Sequence, residues 1–264
     1  MTRRSHARRK TTFAAILTLA AAALLSPVAL MSAWVHAESL PMQVYSTAIG
    51  EIRRVVLNEW LAMRLNTGSG ATVTSSAQLC EVTLDHGEAL FELERESPLP
   101  LRVLAGDTAL NTRAAKFSVR VRDMKTVDVI VRSGQVTVGV TTIRERQSAR
   151  ISAAGVILRD LNPADVERRL EWTTGHLTFA GETLAEATAE FNRYNTHRLV
   201  IADRAISSIP IGGTFLSSDV ESFVAALRPL GVARMKGGPG DGDNVIRLVG
   251  AARAAGAKSA PGPN

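Results

Sequence analysis

The residues of this chain that could act in acid–base, nucleophilic or metal chemistry are few and scattered. Its five histidines have no spacing that lets two of them share a metal ion; they are His6, His36, His86, His176 and His197. The sequence also lacks the Gly-x-Ser-x-Gly motif of a serine nucleophile, a phosphate-binding loop and a dinucleotide fingerprint. We therefore predict a protein that is not an enzyme, with no catalytic residue, no metal and no cofactor; a hydrolase remains the outside alternative.

The only cysteine, Cys80, excludes an intrachain disulfide. It alternates with polar neighbours in a strand pattern, so we expect it to act as a small core residue. The glycine-rich segment 237–242 has no Lys-Ser or Lys-Thr after it and predicts a hairpin loop rather than a phosphate site.

Most of residues 44–160 alternate apolar and polar side chains, as the valines of residues 127–131 do. This period of two is typical of half-buried strands, and turn residues interrupt it at roughly the 8–12-residue spacing of sandwiches and barrels. Residues 85–88 and 132–135 each place a glycine between two alternating runs and predict hairpin turns. We predict a mainly β domain, a sandwich or roll, over residues 44–160.

The alternation of apolar and polar residues ends after residue 160. A short polar helix over residues 161–171 is predicted to link to a second domain. Residues 172–250 follow the order strand–helix–strand–strand–helix–strand, which is typical of a small α+β domain with two helices on one sheet. Capping boxes, Thr-x-x-Glu at 183–186 and Ser-x-x-Glu at 218–221, mark the two helix starts. Residues 251–264 are small and rich in Pro and Gly, and predict a disordered tail.

The amino-terminal residues have the charge pattern of a membrane segment. Residues 1–10 include five basic side chains and no acid, and the 25 residues 11–35 carry no charge. A helix of about 20 apolar residues crosses the hydrocarbon core of a bilayer, and basic residues stay on its cytoplasmic side. We predict a short cytoplasmic tail, a single transmembrane helix or signal anchor over residues 11–37, and export of everything after it to the periplasm.

A cleaved signal peptide is the alternative for this segment. Small residues near Ala37 suit signal peptidase, and Ser26-Pro27 interrupts the apolar run. The uncharged stretch exceeds the about 7–15 residues of a signal-peptide core, which favours the anchor. Both interpretations place the remaining chain in the periplasm.

The net charge of +6 does not indicate nucleic-acid binding. Once the first ten residues are set aside, 26 basic residues face 25 acidic ones. A duplex-binding domain would concentrate positive charge on its folded part. We therefore expect no nucleic acid among the partners.

Several short blocks occur in order between residues 44 and 249: Gly50-Glu51-Ile52-Arg53, Leu65-Asn66-Thr67-Gly68-Ser69, Gly87-Glu88-Ala89-Leu90-Phe91, Leu101–Asp107, Val131–Val136, Phe191-Asn192-Arg193-Tyr194 and Ile211-Gly212-Gly213-Thr214-Phe215. Together they resemble the FecR family of transmembrane, anti-sigma-type signalling proteins. The resemblance implies a cytoplasmic-membrane protein that carries a signal from an outer-membrane receptor, as in iron-siderophore uptake, to an extracytoplasmic-function sigma factor.

One departure from the family concerns the sigma factor. Family members usually begin with a cytoplasmic domain of several tens of residues that holds it, whereas only residues 1–10 precede the apolar stretch here. Ten residues cannot build a core, so we expect any contact with a sigma factor to be indirect. The alternative function is a periplasmic binding or scaffold module that keeps the fold and has lost the regulation.

The resemblance also implies that the carboxyl-terminal region meets the signalling domain of the receptor. On the first predicted helix of that region, Glu190, Arg193 and Asn195 lie on the outward side and are our candidates for polar partner contacts. Tyr194 is predicted to face the core. The Gly-Glu-Ala run at residues 87–89 is interpreted mainly as a structural turn, with a binding surface as the alternative.

Overall fold

The computed structural model describes residues 42–94, 97–235 and 244–252. The predicted basic tail and membrane helix, residues 1–37, lie outside these ranges, as do the glycine-rich loop and residues 253–264. Among the described residues, no helix combines the length and the hydropathy that crossing a membrane requires.

The mainly β architecture predicted for the first part of the chain is confirmed. Its strands are Met42–Ser46 (β1), Arg53–Val56 (β2), Leu61–Leu65 (β3), Gly70–Ser75 (β4), Cys80–Leu93 (β5), Leu101–Ala105 (β6), Thr108–Thr112 (β7), Ala115–Asp123 (β8), Thr126–Val138 (β9), Thr141–Arg144 (β10), Gln147–Ser152 (β11) and Gly155–Asp160 (β12). They form one sheet that folds over on itself, because β5 and β9 are long enough to belong to both halves. We call residues 42–160 the β-domain.

The hairpin turns predicted at residues 85–88 and 132–135 are wrong. The chain does not reverse there; β5 and β9 continue and bend at Gly87 and Gly134, whose φ angles are 86° and 79°. The first half of β5 pairs with β4 and β6, and its second half pairs with β3 and β8. A glycine between alternating runs fits a bend as well as a turn, and the bend occurs because each half of the strand finds neighbours of its own.

The two halves of the sheet enclose the first hydrophobic core. Phe91 and Phe117 stack at its centre with ring centroids 5.3 Å apart. Cys80 lies in this core as expected, and its burial raises the pKa of the thiol. Alternate residues of the strands fill this core, which leaves the opposite face of each half-sheet free for other contacts.

Residues 161–250 form what we call the carboxyl-terminal module. Its elements are Pro163–Leu170 (α1), His176–Thr183 (β13), Leu184–Tyr194 (α2), Arg198–Ile201 (β14), Pro210–Leu216 (β15), Val220–Ala226 (α3), Val232–Met235 (β16) and Val245–Gly250 (β17). Short 3-10 turns occur at Glu171–Thr174, Arg204–Ile206 and Arg228–Leu230. The predicted α+β order is present, with β16 as a further strand.

The expectation of a single sheet under the two helices is wrong. Within the described residues, β13 pairs with β15, and a separate sheet has the order β14-β17-β16. Both sheets pack on a second hydrophobic core in which the rings of Phe191 and Phe223 stack 4.1 Å apart. Helix α1 is more than a connection, because Val166 and Leu170 are buried in this second core.

The helix starts agree with the sequence in one case and not in the other. The Thr183 and Glu186 side chains form the predicted capping box of α2. At α3 the cap is Asp219, whose Oδ1 accepts a hydrogen bond from the Ser222 N–H at 2.9 Å, and not Ser218. Aspartate caps a helix as well as serine does, so local backbone geometry decided between the two neighbours.

Candidate functional site

The outer face of one half-sheet carries charges of alternating sign across four adjacent strands. In the strand registers, Glu88 of β5 faces Arg120 of β8, Arg120 faces Asp128 of β9, and Asp128 faces Arg150 of β11. Residues in register on neighbouring strands point to the same face of a sheet. A charged row of this kind on a sheet face is suited to binding another charged surface.

A neighbouring row on the same face is less polar, and the module packs on it. Leu90, Ser118 and Ile130 are in register across β5, β8 and β9. Leu90 belongs to the second hydrophobic core and Ile130 packs against it. The module therefore shares its core with this sheet face. Beside this shared core, the charged row meets helix α2 of the module.

Glu88 is the centre of that contact. Its side chain is only 8% exposed, and it accepts hydrogen bonds from Asn66 Nδ2 at 2.9 Å and from Ser118 Oγ at 3.2 Å. Arg193 Nη2, from helix α2 of the module, lies 3.0 Å from its Oε2. A carboxylate can be buried at this depth because polar groups from both sides surround it.

The backbone around Glu88 explains two of the motifs found in the sequence. The Glu88 N–H donates to Ser69 Oγ at 2.9 Å. A Cβ on Gly87 would lie 2.2 Å from that Oγ and 2.6 Å from the Ser69 Cα, so no side chain fits there. The Leu-Asn-x-x-Ser and Gly-Glu blocks thus meet in space and together place the Glu88 carboxylate.

Helix α2 supplies the other half of the contact. Glu190 Oε2 lies 3.0 Å from Arg120 Nη1, and Glu190 also pairs with Arg193 one turn further along the helix. We call Glu88, Arg120, Glu190 and Arg193 the ionic cluster. It joins two residues of the β-domain to two residues of the module in an alternating arrangement.

The expected outward orientation of Glu190 and Arg193 is therefore wrong. Their side chains are 24% and 19% exposed, and both point at the β-domain. Helical periodicity correctly put them on the side of α2 away from the module's own core, but that side is covered by the charged sheet face. Asn195 ends the helix and donates from Nδ2 to the carbonyls of Phe191 and Ser217.

The opposite charges of the cluster keep its side chains ionised. Burial opposes ionisation of Glu190, but Arg193 and Arg120 outweigh it and lower the pKa of that carboxyl. Burial likewise acts against the charge of Arg193, and Glu190 and Glu88 outweigh it and raise the pKa of the guanidinium. Both groups are therefore charged at neutral pH, which is what a stable ionic contact requires.

The end of helix α2 is fastened to the β-domain by hydrogen bonds as well. Tyr194, buried as predicted, accepts a hydrogen bond on its hydroxyl from Asn66 Nδ2 at 2.8 Å. Thr67 Oγ1 donates to the Arg193 carbonyl at 3.0 Å and accepts from the Gly50 N–H at 2.8 Å. Residues from two separate sequence blocks, Asn66-Thr67 and Glu88, thus contact one helix end.

The ionic cluster joins the module to the β-domain and positions helix α2 on it. No cluster of three or more His, Cys, Asp or Glu side chains that could hold a metal ion occurs in the part of the chain that the structure describes. Sequence reasoning named Glu190, Arg193 and Asn195, but it missed that Glu88 and Arg120 are partners of the first two. The family-like blocks themselves were the available signal, because Asn66, Ser69 and Glu88 all lie in them.

The fold of this chain occurs in proteins of known structure. Two crystal structures of predicted anti-sigma factors from Parabacteroides distasonis superpose on the chain with TM-scores of 0.63 and 0.64 at 18% and 19% identity. Each comparison covers 79% of this chain and 98% or 99% of the other. At this identity the likeness establishes the fold, that of a β-domain followed by an α+β module.

A family match comes from the sequence. Residues 43–137 match the model of the FecR protein family, which confirms the resemblance. Comparison with curated proteins gives no match. The matched residues contain Asn66, Ser69, Gly87, Glu88 and Arg120, which is the β-domain side of the candidate site.

Proposed function

We propose that the chain is a membrane-anchored periplasmic signalling protein of the anti-sigma type, without enzymatic activity. It relays a signal from an outer-membrane receptor of the iron-siderophore type towards an extracytoplasmic-function sigma factor. The match to the FecR family supports the signalling role, as does the fold shared with predicted anti-sigma factors over nearly their full length.

The observation that carries the proposal is the ionic cluster. It is mostly buried and links the module to the β-domain through the Glu88–Arg193 and Arg120–Glu190 pairs. A partner that binds the module and moves helix α2 must therefore break or shift charged contacts of the β-domain. A relay needs an element with two arrangements of different energy, and in this proposal the ionic cluster is that element, intact in one arrangement and broken in the other.

The module offers open surface for a receptor domain. Strand β15 is mostly exposed, and Leu216 at its end is 52% exposed. Short sheets with open edges suit the docking of a second small domain. In this proposal Glu190, Arg193 and Asn195 act at the border of the docking surface, where receptor binding competes with their contacts inside the chain.

The test uses the full chain, purified in a non-ionic detergent, and the periplasmic signalling domain of a siderophore receptor from the same organism. We expect saturable binding by biolayer interferometry and, in the host, altered sigma-dependent transcription after deletion of the coding sequence. Arg193→Ala should uncouple the two, so that the receptor domain still binds while the transcriptional response to the receptor's ligand is lost. Arg234→Ala is the matched control, because Arg234 pairs with Glu221 on an exposed part of the same module.

The scaffold alternative gives a different result. The receptor domain would bind, and deletion of the coding sequence would leave sigma-dependent transcription unchanged. Absence of binding at high micromolar concentration would remove the receptor from the proposal.

A further inference from the structure

A groove opens beside the ionic cluster, between the end of the half-sheet and the module. Its volume is about 560 Å³. Arg150, Ile157 and Arg159 line it from the β-domain, and Arg169, Trp172 and His176 line it from the module. We call it the β12 groove, because strand β12 forms its outer wall.

Strand β12 is the last strand of its half-sheet, so its outer backbone groups face away from the sheet. All six of its residues except Val156 are exposed. Its side chains alternate, so that Ile157, which is 56% exposed, and Arg159 lie on the groove side, in register with Arg150 and Ser148. An exposed edge strand with an apolar side chain and no proline accepts an added strand.

Two positive side chains at the mouth of the groove have no acidic partner within the described ranges. Arg159 and Arg169 are exposed, and neither forms an ion pair with another described residue. The nearby acids are already engaged: Asp128 pairs with Arg122 and Arg150.

The remaining acidic side chains of the groove are also accounted for. Glu182 pairs with Arg168, and Glu186 caps helix α2. Glu190 and Glu88 belong to the ionic cluster. Glu186 has no arginine or lysine partner among the described residues, so two unpaired arginines face one unpaired acid, and the unmatched charge of the groove is positive.

One further donor in the groove wall lacks a partner. Trp172 is only 4% exposed, and its buried Nε1 has no hydrogen-bond partner in the part of the chain that the structure describes. A buried donor without a partner costs free energy, but an acceptor in the groove could reach this atom only if the wall moved, because the atom is sealed from solvent. The charges of the groove, and not this donor, therefore select the ligand.

From these observations we propose that the β12 groove binds an extended, acidic segment of a partner protein. The segment adds to β12 as a further strand, places an apolar side chain beside Ile157 and carboxylates beside Arg159 and Arg169. This inference goes beyond the proposed relay and does not depend on it, because it assigns a second surface, formed by both parts of the chain.

Two other occupants fit less well. The chain's own residues 253–264 contain Arg253 and Lys258 and no acid, so their charge has the wrong sign. A second copy that pairs β12 with β12 would bring the same two unpaired arginines together. Charge complementarity therefore selects a different, acidic chain.

The test uses the full chain in non-ionic detergent and the peptide acetyl-Thr-Glu-Thr-Val-Thr-Glu-Thr-amide with a neutral fluorophore. Its sequence is the same in both directions, so parallel and antiparallel addition present the same side chains. By fluorescence anisotropy we expect a dissociation constant on the order of 100 µM or lower at low salt. Replacing both Glu residues by Lys should abolish binding.

Charge-reversal variants identify the surface. Arg159→Glu with Arg169→Glu should weaken binding of the acidic peptide by about tenfold or more and allow the Lys peptide to bind. Arg113→Glu with Arg144→Glu changes the net charge equally at exposed arginines outside the groove and should leave both affinities unchanged. Equal effects of the two double variants would overturn the proposal.

Peptides methylated on alternate backbone nitrogens separate strand addition from simple charge attraction. In an added strand only alternate N–H groups pair with the sheet, so one methylated peptide should bind and the other should not. Equal binding of the two would exclude strand addition. Sedimentation gives the last outcome: a dimer of the free protein that dissociates when the peptide is added would show that β12 is occupied by a second copy, against the proposal.

Discussion

The Arg193 guanidinium of the carboxyl-terminal module lies 3.0 Å from the Glu88 carboxylate of the β-domain, 105 residues earlier in the chain. Both side chains are mostly withdrawn from water, at 19% and 8% exposure. A pair of this kind gains little net free energy over an apolar contact, but loss of one partner leaves a buried charge uncompensated. The Glu88–Arg193 pair instead determines the orientation of the module on the sheet.

The first prediction concerns this pair. Arg193→Ala should lower the free energy of unfolding by about 3–5 kcal/mol, because Glu88 stays buried without its counter-ion. Combining it with Glu88→Gln should cost clearly less than the sum of the two single changes, because the charge that was left unpaired is gone. Denaturant titration of the four proteins measures this coupling.

Arg234→Ala is the control for that cycle. Arg234 and Glu221 form a pair at 50% and 70% exposure, and we expect a loss of about 1 kcal/mol or less. An equal loss from Arg193→Ala and Arg234→Ala would mean that the ionic cluster does not hold the module.

The second prediction is the pH dependence that Glu190 contributes. Because Arg193 and Arg120 lower its folded-state pKa despite burial, the stabilisation is present above its ordinary value of 4.5 and is lost as the pH falls through the folded value. Thermal unfolding from pH 7 down to pH 3 should therefore show a smaller loss for Glu190→Gln than for the wild type. Glu221→Gln, at an exposed position, should keep the wild-type slope; identical curves for all three proteins would contradict the role of Glu190.

The third prediction concerns Gly87. Alanine there would place its Cβ 2.6 Å from the Ser69 Cα at a φ of 86°, so the strand bend and the hydrogen bond from Glu88 N–H to Ser69 Oγ must shift. We expect a loss well above the about 1–2 kcal/mol that a left-handed φ alone costs.

Gly139→Ala isolates the conformational cost. Gly139 also has a positive φ, of 54°, but an added Cβ would meet no atom within 4 Å. Calorimetry of the two variants should therefore show the larger loss at Gly87. If Gly139→Ala cost as much, close packing on Ser69 would not explain the glycine in the Gly-Glu block.

The sequence predicted the elements of this protein better than their connections. Alternation located most strands, and the Thr183 capping box located the start of α2. The same alternation misplaced two hairpins, because a period of two says which residues are buried and not whether the chain turns or bends at Gly87 and Gly134. Pairing partners many residues away decided that.

The candidate site shows the same limit. Helical spacing placed Glu190 and Arg193 away from the module's core, which is correct, and exposure to solvent was inferred from it, which is wrong. The missing information was that Glu88 and Arg120 lie in register on a sheet face that covers this side of the helix. No local pattern in β5 or β8 predicts that Glu88 and Arg120 contact residues 105 and 70 positions later in the chain.

The last prediction concerns the amino terminus and rests on sequence alone. Five basic residues precede 25 uncharged ones, which predicts a retained helix with its start in the cytoplasm. Full-length protein should therefore remain in the membrane fraction after carbonate washing, with an intact amino terminus by mass spectrometry. In spheroplasts, added protease should digest a carboxyl-terminal tag, and a cytoplasmic marker should survive as the control. A mature protein that begins at Glu38 in a soluble periplasmic extract would rule out the anchor, and the relay would then need a separate membrane partner to reach a sigma factor.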